Sequence, residues 1–287
     1  LIQRVTEHDL IRKARELAQK TRREIDEAGL SLDDFEGITS KYGITLCWDS
    51  LPGDNPGCYI KEQKKIVLDP AAQSPERLNF TFFHELMHDR IEHDDDMLNL
   101  FADAYISSDE GTMERLCNAG AAELLIPSDD LQAAVAEQGF SAGIIPALCD
   151  RYNASSIAVA IKMVTTASHD CYLVIAEPTY ISQNGDDLPM LVDAQPVKSR
   201  WRLVMTYTVT SPSIKKYSIK RGQIVPNEHP MYAAWQQQGQ VVRCQAKIPF
   251  ASGKGWNVDF DALFFRSKVL AFFNATQPVG KNQLRLF

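Results

Sequence analysis

Five consecutive residues, His84-Glu85-Leu86-Met87-His88, carry the most specific chemistry in this 287-residue sequence. On a helix, residues four apart stand one turn apart on one face, so His84 and His88 can grip a single metal ion. Imidazole nitrogens hold Zn²⁺ at roughly 2.0–2.1 Å. Glu85, beside the first imidazole, can take a proton from a water that the metal activates. The chain has only six histidines. Two of them at ligand spacing around a glutamate favour a metal site over a buried helix with incidental imidazoles.

The flanking residues predict the helix that this pattern needs. Ser74 offers an N-cap, Pro75 fits the first helical position, and Glu76 suits the positive end of the dipole. Leu78, Phe82, Leu86 and Ile91 recur near helical spacing, with Phe83 and Met87 widening the stripe. A catalytic zinc usually has three protein ligands and one open position, so a third ligand must come from elsewhere. Residues 113–127 read as a second helix stopped by Pro127, with Glu114 and Glu123 as acidic candidates. Glu114 shares a face with Cys117, Asn118 and Ala121, which lets it look toward the first helix across small residues.

The run Glu114-x-x-Cys117-Asn118-x-x-Ala121-Ala122-x-Leu124-Leu125-Ile126-Pro127, following the histidine pair, resembles the second motif of the ImmA/IrrE metallopeptidase family. The resemblance implies that the glutamate opening that motif, here Glu114, is the third zinc ligand, in a gluzincin-like arrangement. It is closest to the radiation-response members of the family. Asp103-Ala104-Tyr105, Glu114 to Asn118, His229-Pro230 and residues 248–254 all take part. The likeness covers most of the chain, strongly at the zinc motifs and more weakly between them.

The fold class implied is α+β in three parts. These are a zincin-like metallopeptidase domain over residues 1–127, a small helix-turn-helix-like helical region over 128–168 and a GAF-like α+β domain over 169–287. The function implied is a site-specific zinc endopeptidase that cleaves an XRE-type repressor and so relieves repression of a stress or DNA-damage regulon. Mn²⁺ is a candidate working metal beside Zn²⁺. In that site Tyr105 is a candidate oxyanion donor, and Asp103 and Asn118 are candidates to orient the metal ligands. His229 falls at a position the resemblance marks as functionally important, and its plain reading is a surface histidine preceding a helix. Two alternatives stand: a non-proteolytic regulator that binds DNA or a partner around a structural zinc, and a mobile-element anti-repressor protease. Glu85, which is no ligand, favours an enzyme.

Composition sets the frame. At 45% apolar and 23% charged residues, the chain is that of a globular protein with enough core. No apolar run approaches the roughly 18 residues of a membrane span, and the first residues lack a signal-peptide pattern and an initiator methionine. Six cysteines without C-x-x-C spacing suit reduced thiols in the cytoplasm. Net charge is −7, unevenly spread. Residues 196–287 carry 14 basic against 3 acidic side chains, and residues 1–195 carry 16 against 34. The small ligand, nucleic acid or acidic half that the basic C-terminal part would meet is left open.

Along the chain the pattern predicts a long helix over 7–29 and a shorter one over 32–41. A hairpin of 57–60 with 65–68 follows, and a strand such as 66–68 could offer its edge to an extended substrate. His93 points away from the histidine pair at helical spacing. Residues 97–107 read as helix. Short helices are expected near 128–138, 141–151 and 155–166, the last two resembling a helix-turn-helix. That region has Arg151 and Lys162 against Asp129, Asp130, Glu137 and Asp150, so the phosphate-neutralising charge that drives DNA binding is missing and structural support or protein recognition is favoured. Strands are predicted over 170–176, 201–209, 216–219, 241–246 and 258–265, with a helix over 230–238.

Overall fold

Caps and periodicity set the helices of the first half. The computed structural model describes residues 5–53, 55–71, 74–103, 110–181, 201–216, 218–253 and 255–275. Helix α1 (Glu7–Glu27) begins on a reciprocal capping box between Thr6 and Asp9, and buries Leu10, Ala14, Leu17, Ala18 and Ile25. Gly29, at φ +67°, turns the chain out of the helix. Helix α2 (Phe35–Lys41) is capped by Asp34, whose carboxylate accepts from the Gly37 backbone N–H.

Three short strands follow: β1 (Thr45–Trp48), β2 (Gly57–Ile60) and β3 (Lys65–Leu68). Their order is β1-β3-β2, with β3 parallel to β1 and antiparallel to β2. The predicted hairpin of 57–60 with 65–68 forms, but the edge expected at 66–68 is not there. Strand β3 is hydrogen-bonded on both sides, and its fully buried Ile66 and Leu68 belong to a central strand. The edge is β2.

Helix α3 (Pro75–Glu92) starts where Ser74 Oγ accepts from the Arg77 backbone N–H, with Pro75 in the first turn. It buries Phe82, Phe83, Leu86, Met87 and Ile91, and Phe82 stacks on Phe35 of α2 with ring centroids 4.1 Å apart. Fully burying one such side chain stabilises by about 1.5–3 kcal/mol, so this stripe anchors the motif helix firmly. Helices α4 (Asp95–Asp103) and α5 (Glu110–Leu125) come next.

Small residues set how closely these parts approach. A Cβ at Gly120 of α5 would lie 2.6 Å from Met87 Cε of α3, and one at Gly57 of β2 would lie 2.5 Å from Thr81 Cγ2. Helix α3 is thus flanked by β2 on one side and α5 on the other, both nearer than a side chain would allow.

The short helices are α6 (Ser128–Gln138), α7 (Ile145–Tyr152) and α8 (Ser156–Thr165). The middle one begins later than its sequence suggests. The Ser141 hydroxyl accepts from the Gly143 N–H and holds Ala142–Ile144 in a 3₁₀ turn instead. The remainder is β4 (Cys171–Tyr180), β5 (Trp201–Thr210), α9 (Pro230–Gln236), β6 (Val241–Lys247), β7 (Asn257–Phe265) and β8 (Lys268–Asn274). These strands form one antiparallel sheet in the order β5-β4-β8-β7-β6.

Strand β8 has no counterpart among the sequence expectations, because its apolar run Val269–Phe273 is buried without alternation. Among the described residues of 216–219 there is no strand. The chain there instead leads to a single bridge between Ile224 and Val204 of β5. One face of the sheet packs on α9, with Phe260, Phe273, Met205 and Met231 at its centre.

The architecture is a mixed α+β one, as expected. Contacts divide it into two compact units, residues 1–130 with 151–155, and 131–150 with 156–287. Among the described residues no helix is long and apolar enough to cross a membrane.

Candidate metal centre

His84 and His88 lie one turn apart on α3, and Glu114 reaches them from the first half of α5. His84 Nε2 is 3.1 Å from Glu114 Oε2, His88 Nε2 is 3.3 Å from Glu114 Oε1, and the two imidazole Nε2 atoms are 3.2 Å apart. An ion with four bonds of roughly 2.0–2.1 Å at tetrahedral angles sets its donors ~3.3–3.4 Å apart. The three side chains are therefore spaced as a ligand set, and two imidazoles with one carboxylate suit a first-row divalent ion. The Glu114 side chain is 46% exposed against 13% and 18% for the histidines, so the cluster opens to solvent on the α5 side.

Electrostatics match that use. Burial first, and then the neighbouring His84, pull the His88 imidazole below its usual range and favour the neutral, ligating form. Asn118, one turn beyond Glu114 on α5, places its Oδ1 3.1 Å from His84 Nδ1. Acting as acceptor, it keeps the proton on Nδ1 and leaves Nε2 bare toward the cluster. The Tyr59 ring lies nearly parallel to His88, with centroids 6.5 Å apart and planes at 14°, and its hydroxyl donates to the buried Asp89 carboxylate at 2.9 Å.

Glu85 is buried beside the cluster. Burial, with the Glu114 charge adding to it, pushes its carboxyl up to about 7, while the Tyr59 backbone N–H pulls it down. A carboxyl held there can both accept and deliver a proton near neutral pH.

These groups line a cleft of about 680 Å³ whose walls come from β2, α3 and α5. Of the side chains singled out in the sequence, His84, Glu85, His88, Glu114 and Asn118 come together here. Glu123, the other acidic candidate on α5, is turned away. It accepts from Gln19 Nε2 and from the Ser128 backbone and hydroxyl, joining α1 to the start of α6. His93, at the C-terminal end of α3, interacts with Asp89 instead. Asp103 closes α4, its side chain lying outside the described ones, and Tyr105 falls outside the described residues.

His229 belongs to the second unit and is not the surface histidine expected. It is 9% exposed and caps α9: Nδ1 accepts from the Met231 N–H at 3.2 Å and Nε2 donates to the Lys247 carbonyl at 3.0 Å. Two cleft residues, Tyr59 and Arg77, were not singled out in the sequence. Tyr59 has no motif to mark it. Arg77 could have been found by stepping back along the His84 face of α3 in threes and fours.

Comparison with known proteins agrees with this geometry. The family described as the IrrE N-terminal-like domain matches residues 40–163. The radiation response metalloprotease IrrE of Deinococcus deserti is 29% identical over 244 residues, covering 84% of this chain and 80% of that protein. Its namesake from Deinococcus radiodurans is 30% identical over 226 residues, covering 77% and 66%. Among solved structures, a Mycobacterium tuberculosis transcriptional regulator aligns with 91% of this chain and 88% of its own, at a TM-score of 0.55 and 14% identity. That last likeness is one of fold.

Proposed function

From the chain's membership of the IrrE N-terminal-like domain family, carried by residues 40–163, we infer that it is a divalent-metal endopeptidase of the zincin type. The observation that carries the reading is the convergence of His84, His88 and Glu114 with a buried, non-ligating Glu85 at their side. When bound there, Zn²⁺ or Mn²⁺ would supply Lewis acidity, polarising the scissile carbonyl and acidifying a water. The two imidazoles and the Glu114 carboxylate would hold that ion. Asn118 fixes the His84 tautomer, and Glu85 takes the water proton and returns it to the leaving amine. Strand β2, an edge that lines the cleft, offers main-chain groups to an extended peptide. Tyr105 is assigned the oxyanion donor and Asp103 a supporting place near the ligands, both from their positions in the sequence.

The substrate we propose is an XRE-type repressor, cut to release a stress or DNA-damage regulon. The relatives named radiation response metalloproteases support a protease acting in a stress response, and the repressor as its substrate rests on the sequence resemblance. Catalysis is assigned to residues 1–127. The helix-turn-helix-like stretch 128–168 and the GAF-like part 169–287 are assigned to recognition of the partner or the signal, with His229 as a supporting cap in the latter.

Wild type and Glu85→Gln, each loaded with Zn²⁺ or Mn²⁺, should be incubated with the XRE-type repressor from the same genome. A metal-dependent fragment from wild type is expected. General acid–base catalysis contributes roughly 10²–10⁴-fold, so the variant should bind metal normally and produce almost none. Equal cleavage by both proteins, or none by a folded, metal-loaded wild type, would sink the reading.

A further inference from the structure

The face of α3 that carries the metal ligands continues toward its N-terminus. Stepping back from His84 reaches Phe80, whose ring centroid is 6.3 Å from that of His84, and then Arg77. All three line the cleft. Arg77 is exposed, and its guanidinium meets no carboxylate among the described residues. Apart from the histidines, it is the one basic side chain among the described residues lining the cleft. The two carboxylates there, Glu85 and Glu114, belong to the reacting centre seven or more residues further along.

We propose that Arg77 is a substrate-selecting residue that receives an acidic side chain of the peptide, three positions from the scissile bond. The proposal rests on the peptidase reading for the existence of that bond. Seven residues of helix carry Arg77 about 10 Å along the axis from His84. An extended peptide advances about 3.3 Å per residue, so three of its residues span that distance. Phe80 lies between the two points and gives an apolar wall for the intervening residue. A guanidinium at the edge of a cleft walled by protein offers a carboxylate a forked, charge-assisted pair. Against a lysine it offers only repulsion, so selection comes from both signs.

The test separates binding from turnover. Metal-loaded Glu85→Gln protein is titrated, by fluorescence anisotropy, with ten-residue peptides that carry Glu or Lys at each position in turn. The same peptides are then given to wild type and the products read by mass spectrometry. Glutamate three positions from the cleaved bond, on one side, should bind about tenfold tighter than lysine there. Adding Arg77→Glu should reverse that preference, and Arg77→Ala should erase it. Only the Arg77 backbone N–H serves the helix cap, and an acidic residue suits the first turn, so both variants should fold.

Equal binding of Glu and Lys peptides at every position would overturn the proposal, as would an acidic preference that survives Arg77→Glu. Peptides that bind with the expected preference but are left intact by wild type would sink the peptidase reading while leaving the Arg77 subsite standing. Cleavage without charge preference would do the opposite.

Discussion

Asn118→Ala tests the link between an outer side chain and the metal. Asn118 Oδ1 is 3.1 Å from His84 Nδ1 and is the group that decides which imidazole nitrogen faces the cluster. Removing it leaves Nε2 to share the proton, and the protein must then select the ligating tautomer at the cost of binding energy. A neutral hydrogen bond contributes about 0.5–1.5 kcal/mol net, and substitutions of this kind at metal sites lower affinity about 10–100-fold. Asn118 is exposed, so water can replace part of what it gives. That places the loss at the low end, about tenfold in Zn²⁺ affinity.

The assay is competition with a chromophoric chelator at fixed pH, alongside a thermal melt to show that the fold is intact. Asn118→Asp should bind at least as tightly as wild type, because a carboxylate accepts the same proton more strongly. If Asn118→Ala keeps wild-type affinity within about twofold, or if Asn118→Asp weakens binding as much as alanine does, the orienting role is refuted.

Two further outcomes follow from packing and burial. Gly120→Ala puts a methyl within 2.6–3.0 Å of the Met87 side chain. Overpacking costs about 1–3 kcal/mol, and alanine's helix propensity returns up to about 1 kcal/mol. A net loss of about 1 kcal/mol is expected in urea melts, and a stabilised variant would count against the close contact of α3 and α5. Burial lowers the His229 imidazole from 6.5 to about 4, so the unfolded chain takes up a proton that the folded one refuses. Stability is then full above pH 6.5 and lost as pH falls toward 4, by about 3 kcal/mol in all. His229→Asn, which can still cap a helix, should flatten that slope in denaturant melts of the second unit between pH 7.5 and 4.5. An unchanged slope would mean other groups carry it.

What the sequence determined by itself were the features set within one or two turns of chain. The HExxH spacing, the Ser74-Pro75 start and the apolar stripe of α3 are local, so the metal-binding face could be read before any contact was known. By residue pattern Glu114 is one of two acids on one predicted helix, and the family resemblance is what points to it as the third ligand. The approach of α5 to α3 at Gly120 separates them, turning Glu114 to the histidines and Glu123 to Ser128.

The tertiary structure alone decided which strand has an open edge, because that depends on partners far along the chain. Residues 66–68 look like any short apolar strand until β1 pairs on their other side. The same holds for β8, whose even burial hides its period, and for His229, whose capped and buried place requires the Lys247 carbonyl eighteen residues away. Local spacing fixes the direction a side chain takes from its own helix or strand, and only long-range packing fixes what it meets there.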